Sequence, residues 1–500
     1  MEFVESKIHV RNTLTDKKES FTPIAKGKIG MYVCGPTVYG EPHLGHARSA
    51  ITFDIVYRYF KFLGYQVRYV RNITDVGHLE DELNGQGEDK ILKKARIERL
   101  EPMEVAQYYT NLYRGMMTRL NVLPPSIEPT ASGHIIEQIA IIEQIISNGL
   151  AYVVDGSVYL DVVRYTEKYH YGELSGRALD ELLTGSRALE CQEQKKHSAD
   201  FALWKKAETG HIMQWPSPWG MGFPGWHIEC TAMSSKYLGV PFDIHGGGMD
   251  LKFPHHEAEI AQSYAAFGCP PVNYWLHNNM MTLEGQKMSK SKGNFITLDQ
   301  MFTGEHPLLD KAYHPMTVRF LMLQAHYGSP IDFSNQALKS AEVACAKLLK
   351  GLELVNDLQP NEVSSTSSER FSKHILNTCQ SCYNKMNDDF NTAETIACLF
   401  DLLAVAQKLV HRGESTSTEA LKMLKKTYRD FLTDVLGIRS ESSAQDVVLP
   451  EVMDLLLELR QQARAQKDFS LSDHIRDRLA TIGIQVNDSK ENATYEFNRN

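Results

Sequence analysis

The segment from Gly30 to Ile73 limits the possible folds of this chain more than any other. Gly30 to Cys34 (GMYVC) reads as a short buried strand. Leu44 to Phe62 reads as a helix, with apolar positions 47, 51, 55, 59 and 62 on one stripe and Gly64 as its stop. Gln66 to Ile73 resumes a strand pattern. Strand, helix and strand within about forty-five residues form a βαβ unit, whose right-handed crossover requires a parallel sheet. The first domain is therefore expected to be doubly wound α/β.

A chain of 500 residues implies about three domains. Residues 125–225 differ from what precedes them. They hold proline pairs, a helix around Ile135 to Ser147, strand-like alternation in Tyr152 to Val163, and a polar stretch to Asp200. This reads as an insertion between two halves of the sheet. Phe242 to His245 returns to a strand running into glycines, and Pro254 to Phe267 reads as a helix with proline in its first turn. Strand-like Tyr274 to Leu276 follows, then a polar, lysine-rich loop at 284–294. From about residue 305 strand signals vanish. The segments 335–357, 369–388, 391–411, 417–436 and 449–466 show 3.6-residue periodicity, which predicts a helical bundle interrupted by a polar linker at 360–369.

With 42% apolar and 23% charged residues, the composition excludes a disordered or fibrous chain. Lys and Arg number 53 against 62 Asp and Glu, a net charge of -9, so a polyanionic partner would have to meet a local basic surface. No apolar stretch follows a basic flank at the N-terminus, and the apolar run Ile135 to Val154 is broken by Glu137, Glu143, Asn148 and Gly149. Neither a secretion signal nor a membrane span is expected. Eight scattered cysteines do not make a disulfide framework. They suggest reduced thiols in a cytosol, with metal binding open to some.

Two motifs carry nucleotide chemistry. His43-Leu44-Gly45-His46 sits just after a strand and at the start of a helix. Two imidazoles at a helix N-terminus, with Gly45 letting a ligand lie against the backbone, can hold a triphosphate and stabilise charge at its α-phosphate. The plain alternative is two surface histidines flanking a glycine. Lys287-Met288-Ser289-Lys290-Ser291 supplies ammonium groups that can close over a leaving pyrophosphate; the plain alternative is a solvated loop. Both motifs in this order around a split βαβ sheet resemble the HIGH and KMSKS signatures of class I aminoacyl-tRNA synthetases.

A third constellation selects among those enzymes. Cys34 ends the first strand, Cys230 lies in Gly225-Trp226-His227-Ile228-Glu229-Cys230, and His255 and Glu259 stand at i and i+4 of the Pro254 helix. Two thiolates, an imidazole and a carboxylate make a four-ligand zinc set. A buried structural Cys34 is the competing reading, and His256, Glu257 and Cys269 are rival ligands; helix geometry disfavours His256 and Glu257, which should point away from the face shared by His255 and Glu259. The chain resembles the cysteinyl-tRNA synthetase family through Met31 to Tyr39, Gly225 to Cys230, His245 to Gly248 and Phe253 to Glu259. The likeness continues through Met386 to Thr392, Lys467 to Phe469 and Asp473 to Asp477, nearly the whole chain.

The resemblance implies a Rossmann-like catalytic domain in two halves, 1–124 and 226–304, around a connective insertion at 125–225. A stem-contact helical region at 305–360 and a helical anticodon-binding domain at 361–500 would follow. It implies activation of L-cysteine with ATP to cysteinyl adenylate and transfer to tRNA(Cys), with one zinc ion per chain on Cys34, Cys230, His255 and Glu259 binding the substrate thiolate. Zinc prefers sulfur to a serine hydroxyl, so no second hydrolytic site is needed. His43, His46, Lys287 and Lys290 would be catalytic. Gly35, Thr37, His43, Gly45, His46 and Lys290 would serve ATP, with Mg2+ on its phosphates, and Thr74, Trp226 and His245 would line the amino-acid pocket. Trp226 could equally be a core aromatic. A cytoplasmic monomer is expected.

Three features depart from the family pattern. Gly40 replaces the usual Asp before the histidines, Val76-Gly77-His78 replaces an Asp-rich continuation after Thr74-Asp75, and Tyr495 stands where tryptophan is common. Tyr495 could stack on an anticodon base or be a disordered terminal residue. Cys379-Gln380-Ser381-Cys382 matches a redox or half-zinc pattern, but its helical setting favours inert cysteines. A rival function is a ligase joining cysteine to an amino-sugar, which should lack the long helical region after residue 310. A nucleic-acid-binding scaffold with a decayed nucleotide site is the other, and the intact histidines and lysines oppose it.

Overall fold

The computed structural model describes residues 7–76, 79–81, 86–177, 195–208, 211, 213–288, 294–360, 366–411, 414–440, 444–466, 468–481, 484–488 and 493–497. Met31, Tyr32 and Val33 are buried at the end of strand β1 (Lys28–Val33), which leads through helix α1 (Leu44–Phe62) into β2 (Gln66–Arg71). Helix α2 (Ile228–Leu238), β3 (Phe242–Gly248), α3 (Glu257–Phe267) and β4 (Val272–Asn278) form the second half. The sheet order is β4-β3-β1-β2, and every pair is parallel. From the centre, β1 and β2 build toward one edge of the sheet and β3 and β4 toward the other. The order in which strands are added therefore reverses between β1 and β3, and a crevice opens outside the carboxyl ends of those two strands.

Helix α1 buries more than its predicted stripe. Ile51, Ile55 and Tyr59 are in the core, and so are Arg48, Asp54 and Arg58 on other faces. The charged groups survive burial because they are paired. Asp54 takes Arg58 Nε at 2.7 Å and Arg319 Nη2 at 2.5 Å, and Arg319 also donates to the carbonyls of Leu436 and Leu120. Gly64, at φ 89°, follows the helix in a conformation that favours glycine.

Between the halves lies an antiparallel sheet of Ala151–Val154, Ser157–Leu160, Phe201–Lys206, Trp215–Ser217 and Gly220–Pro224, preceded by the helix Ile135–Ser147. Its core joins Ile142, Ile145, Val158 and Leu203 to Ile228 and Ala232 of α2 and Ala261 and Ala265 of α3. The inserted residues thus hold the outer faces of the two helices that carry the second half of the site.

Helices α4 (Asn335–Asp357), α5 (Thr366–Asn387), α6 (Thr392–His411) and α7 (Thr418–Arg429) follow, close to the predicted segments. Ser334 and Ser417 cap α4 and α7 through their side-chain oxygens. One correction applies. Strands do occur after residue 305: Ile331–Phe333 pairs in parallel with Met281–Leu283, and Ile484–Asp488 with Ala493–Phe497 as an antiparallel hairpin. They are too short and too isolated to show an alternating pattern. One compact unit runs to Ile438, within which α4 packs against α6 and α7. Residues from Arg439 form a second unit with α8 (Ala444–Ala465) and α9 (Phe469–Thr481). Among the described residues, no helix is long and apolar enough to cross a membrane.

Candidate active site and metal centre

The histidine motif caps the helix that follows it. His43 Nδ1 accepts the Gly45 N–H at 3.1 Å, and His46 Nδ1 accepts the His43 N–H at 3.2 Å. Each reciprocal bond satisfies a backbone donor that a helix start leaves without an intrahelical partner. In neutral rings this places the proton on Nε2 of both, so each can act as a donor at the helix N-terminus. The two rings lie 3.9 Å apart. Both line a cavity of about 830 Å³ at the carboxyl ends of β1 and β3, together with Cys34, Gly35, Thr37, Gly45 and Trp226. A side chain at Gly35 would strike the Asn72 carbonyl oxygen at 1.6 Å, so only glycine lets the chain turn there. Met288 and Phe295 also line the cavity, and the Phe295 ring meets His43 edge-on at 4.9 Å.

Beneath the cavity lies a cluster of metal-binding side chains. Cys34 Sγ is 3.7 Å from Cys230 Sγ and 3.7 Å from Glu259 Oε1, and His255 Nε2 is 3.1 Å from the same carboxylate oxygen. Donor atoms of Cys34, His255, His256 and Glu259 all lie within 4.8 Å of one another. Burial would raise the Glu259 pKa, but His245, bonded to Oε2 at 2.9 Å, and His255 hold it down to about 2. Burial likewise opposes ionisation of Cys230, yet Cys34 and His255 bring its thiol down to about 6. Glu259 and Cys230 thus favour their ionised forms in a buried setting, as ligands to a cation must.

The catalytic-domain model for tRNA synthetases class I (C) matches residues 20–343, and the DALR domain model matches 382–440. A cysteine–tRNA ligase of Porphyromonas gingivalis is 55% identical over 499 residues, covering 99% of this chain and 100% of its own. This chain belongs to the cysteine–tRNA ligase family. Another member, from Chlorobaculum tepidum, is 46% identical over 98% of this chain and 99% of its own. The fold also matches the methionyl-tRNA synthetase of Mycobacterium tuberculosis bound by methionyl-adenylate, with a TM-score of 0.57 at 15% identity over 89% of this chain and 96% of that one.

In this ligase the sheet halves bring Cys34, Cys230 and the His255–Glu259 pair together from three separate places in the sequence. His245 is buried behind Glu259, and Trp226 is half-buried on the cavity wall with its ring 4.4 Å from that of His255. Thr74 is buried beside Cys230's helix, bonded to Glu229. Lys287 ends a short hairpin strand of which only the backbone is described, and Lys290 lies outside the described residues, as do Gly77 and His78. Gly40 lines the cavity, and Asp75 instead takes the Ser132 N–H and hydroxyl.

One expectation is corrected. His256 does not point away: its Nε2 is 3.3 Å from Cys34 Sγ. Residues Lys252–His256 form a wide helical turn with Phe253 at φ -141° and ψ 135°, and the regular helix begins only at Glu257. The looser turn brings consecutive histidines toward one side. Glu257 does face away, taking the N–H groups of Gly172 and Ser175. Cys269 is not among the clustered donors. Cys379 and Cys382 are buried on α5, where desolvation lifts the Cys379 thiol to about 11.

The sequence reading also missed His277, whose Nε2 meets His256 Nδ1 at 2.8 Å while its Nδ1 meets Thr13 Oγ1 at 2.5 Å. His227 Nδ1 lies 3.0 Å from His255 Nδ1. His277 lies on β4 two residues after Trp275, and a strand period of 2 would have placed both on one face.

Proposed function

We propose that the chain activates L-cysteine with ATP to cysteinyl adenylate and pyrophosphate, then transfers the cysteinyl group to the terminal adenosine of tRNA(Cys). The observation that carries this reading is the Cys34–Cys230 pair with His255 and Glu259 directly under the cavity that His43 and His46 line. Cys34, Cys230, His255 and Glu259 would hold zinc. Tetrahedral zinc with bonds of about 2.3 Å to sulfur requires a sulfur–sulfur edge of about 3.8 Å, and the two sulfurs stand 3.7 Å apart. Bound there, zinc supplies a soft Lewis acid that favours a thiolate over a hydroxyl.

The rest of the reaction is positioning and charge stabilisation. His43 and His46 direct Nε2 protons and the amino end of α1 toward the α-phosphate, where charge develops as the substrate carboxylate attacks. Lys287 and Lys290 neutralise the departing pyrophosphate. Trp226 and Thr74 hold the amino acid against the metal site, and His245 keeps Glu259 oriented through its 2.9 Å bond. The 2′- or 3′-hydroxyl of the terminal adenosine then takes the aminoacyl group, while the helical region past residue 305 carries the body of the tRNA.

Cysteine-dependent exchange of pyrophosphate into ATP by the purified, zinc-loaded chain tests this. Exchange with cysteine and not with serine is expected. Absence of exchange rejects the reading, and exchange without charging of tRNA favours an amino-sugar ligase.

A further inference from the structure

A hydroxyl carries one proton and two lone pairs, so what it can recognise depends on where its proton already goes. Thr74 Oγ1 donates that proton to Glu229 Oε1 at 2.5 Å. Asn72 Nδ2 donates to Thr74 Oγ1 at 3.1 Å. The Asn72 amide is held the right way round for this, because its Oδ1 accepts the Gly35 N–H at 2.8 Å. The backbone of Thr74 is fixed as well: its N–H donates to Pro36 O, and its carbonyl accepts from Val38. One lone pair on Thr74 Oγ1 remains, and with the proton committed it can only accept.

Glu229 has no other visible task. It is 2% exposed, and its second carboxylate oxygen is buried without a hydrogen-bond partner. A buried polar atom left this way carries a desolvation cost, which needs a reason.

We propose that Glu229, acting through Thr74, is a positioning residue that makes the site select the α-ammonium group of its amino-acid substrate. The inference rests on the reading above, in which the substrate lies against Thr74. An ammonium group brings only donors and meets an oxygen that can only accept. The metal site would read the sulfur end of the substrate, and the Asn72–Thr74–Glu229 chain its nitrogen end.

The test compares cysteine with 3-mercaptopropionate, which keeps the thiol and carboxylate but lacks the ammonium. Dissociation constants for both are measured on the zinc-loaded full chain, with bound zinc determined for each variant. Glu229→Ala releases the Thr74 proton and should weaken cysteine by about 10- to 100-fold, the range for a hydrogen bond to a charged group. Binding of 3-mercaptopropionate and zinc content should stay within about twofold on the same scale. Glu229→Gln keeps an acceptor oxygen and should restore most of the cysteine affinity. If Glu229→Ala does not accumulate folded, Glu229→Met, of similar volume, is read the same way. Equal losses for both ligands, or an unchanged cysteine constant, overturn the inference. Failure of the wild-type chain to bind cysteine at all would instead sink the reading on which it rests.

Discussion

Cys34 Sγ and Cys230 Sγ stand 3.7 Å apart although 196 residues separate them, one at the end of β1 and the other on α2. With Cys230 held down to about 6 and hydrogen-bonded to its partner, the pair without metal shares a proton between the two sulfurs. A divalent cation displaces that proton, since only thiolates are ligands.

Removal of zinc by a chelator should therefore abolish discrimination between cysteine and serine, and reloading should release about two protons per chain, one from the thiol pair and one from His255, which Cys230 and Glu259 hold protonated against the effect of burial. Cys34→Ser and Cys230→Ser should each lose metal and cysteine affinity together, by about 100-fold or more. Metal analysis and equilibrium binding check this. Retained cysteine affinity in either variant would remove that residue from the ligand set.

The doubly capped start of α1 separates a structural role for the histidines from a chemical one. His46→Ala should lower the exchange rate by about 100- to 1,000-fold with the cysteine constant unchanged. It should also cost about 1 kcal/mol of stability, because the His43 N–H loses its acceptor. His43→Asn should keep the cap and lose only rate. Steady-state exchange and thermal unfolding, read side by side, distinguish the two.

Asp54 pairs with both Arg58 and Arg319, and all three are buried. Asp54→Ala should destabilise the fold by about 3–5 kcal/mol, because two guanidinium groups lose their counter-charge inside the core. The double variant Asp54→Leu with Arg319→Met should recover part of that loss. Thermal unfolding midpoints measure both; a midpoint for Asp54→Ala equal to the wild type would show the network to be dispensable.

Burial, with His245 and Lys252 nearby, holds the His277 pKa down to about 3, against about 6.5 in an unfolded chain. The unfolded state thus binds a proton that the folded state refuses. The stability this contributes is present above about pH 6.5 and is lost as pH falls from there toward 3, reaching about 2 kcal/mol at pH 5. His277→Gln should be less stable than wild type at pH 7.5, and the gap should narrow by that amount at pH 5. Denaturation at both pH values checks this, and a gap independent of pH would contradict it.

Much of the fold was legible from local pattern. Helix α1 and the helices of the carboxyl-terminal third run over nearly the predicted residues, because 3.6-residue periodicity with serine caps and glycine stops is local information. Members of the candidate site were legible as well: His43 and His46 meet at one cavity, and Cys34 and Cys230 meet beneath it. The strands after residue 305 were not, since three to five residues carry too few alternations to register.

What the amino-acid order determined by itself is which groups exist and which helices and strands carry them. Only the tertiary structure decided which of those groups meet. A wide turn before Glu257 rotated His256 into the cluster against the expectation from an ideal helix, and the parallel pairing of β1 with β3 set Cys34 beside Cys230. The committed proton of Thr74 belongs to the same category. Distances between groups remote in sequence follow from how whole elements pack, and packing depends on the shape of every face at once.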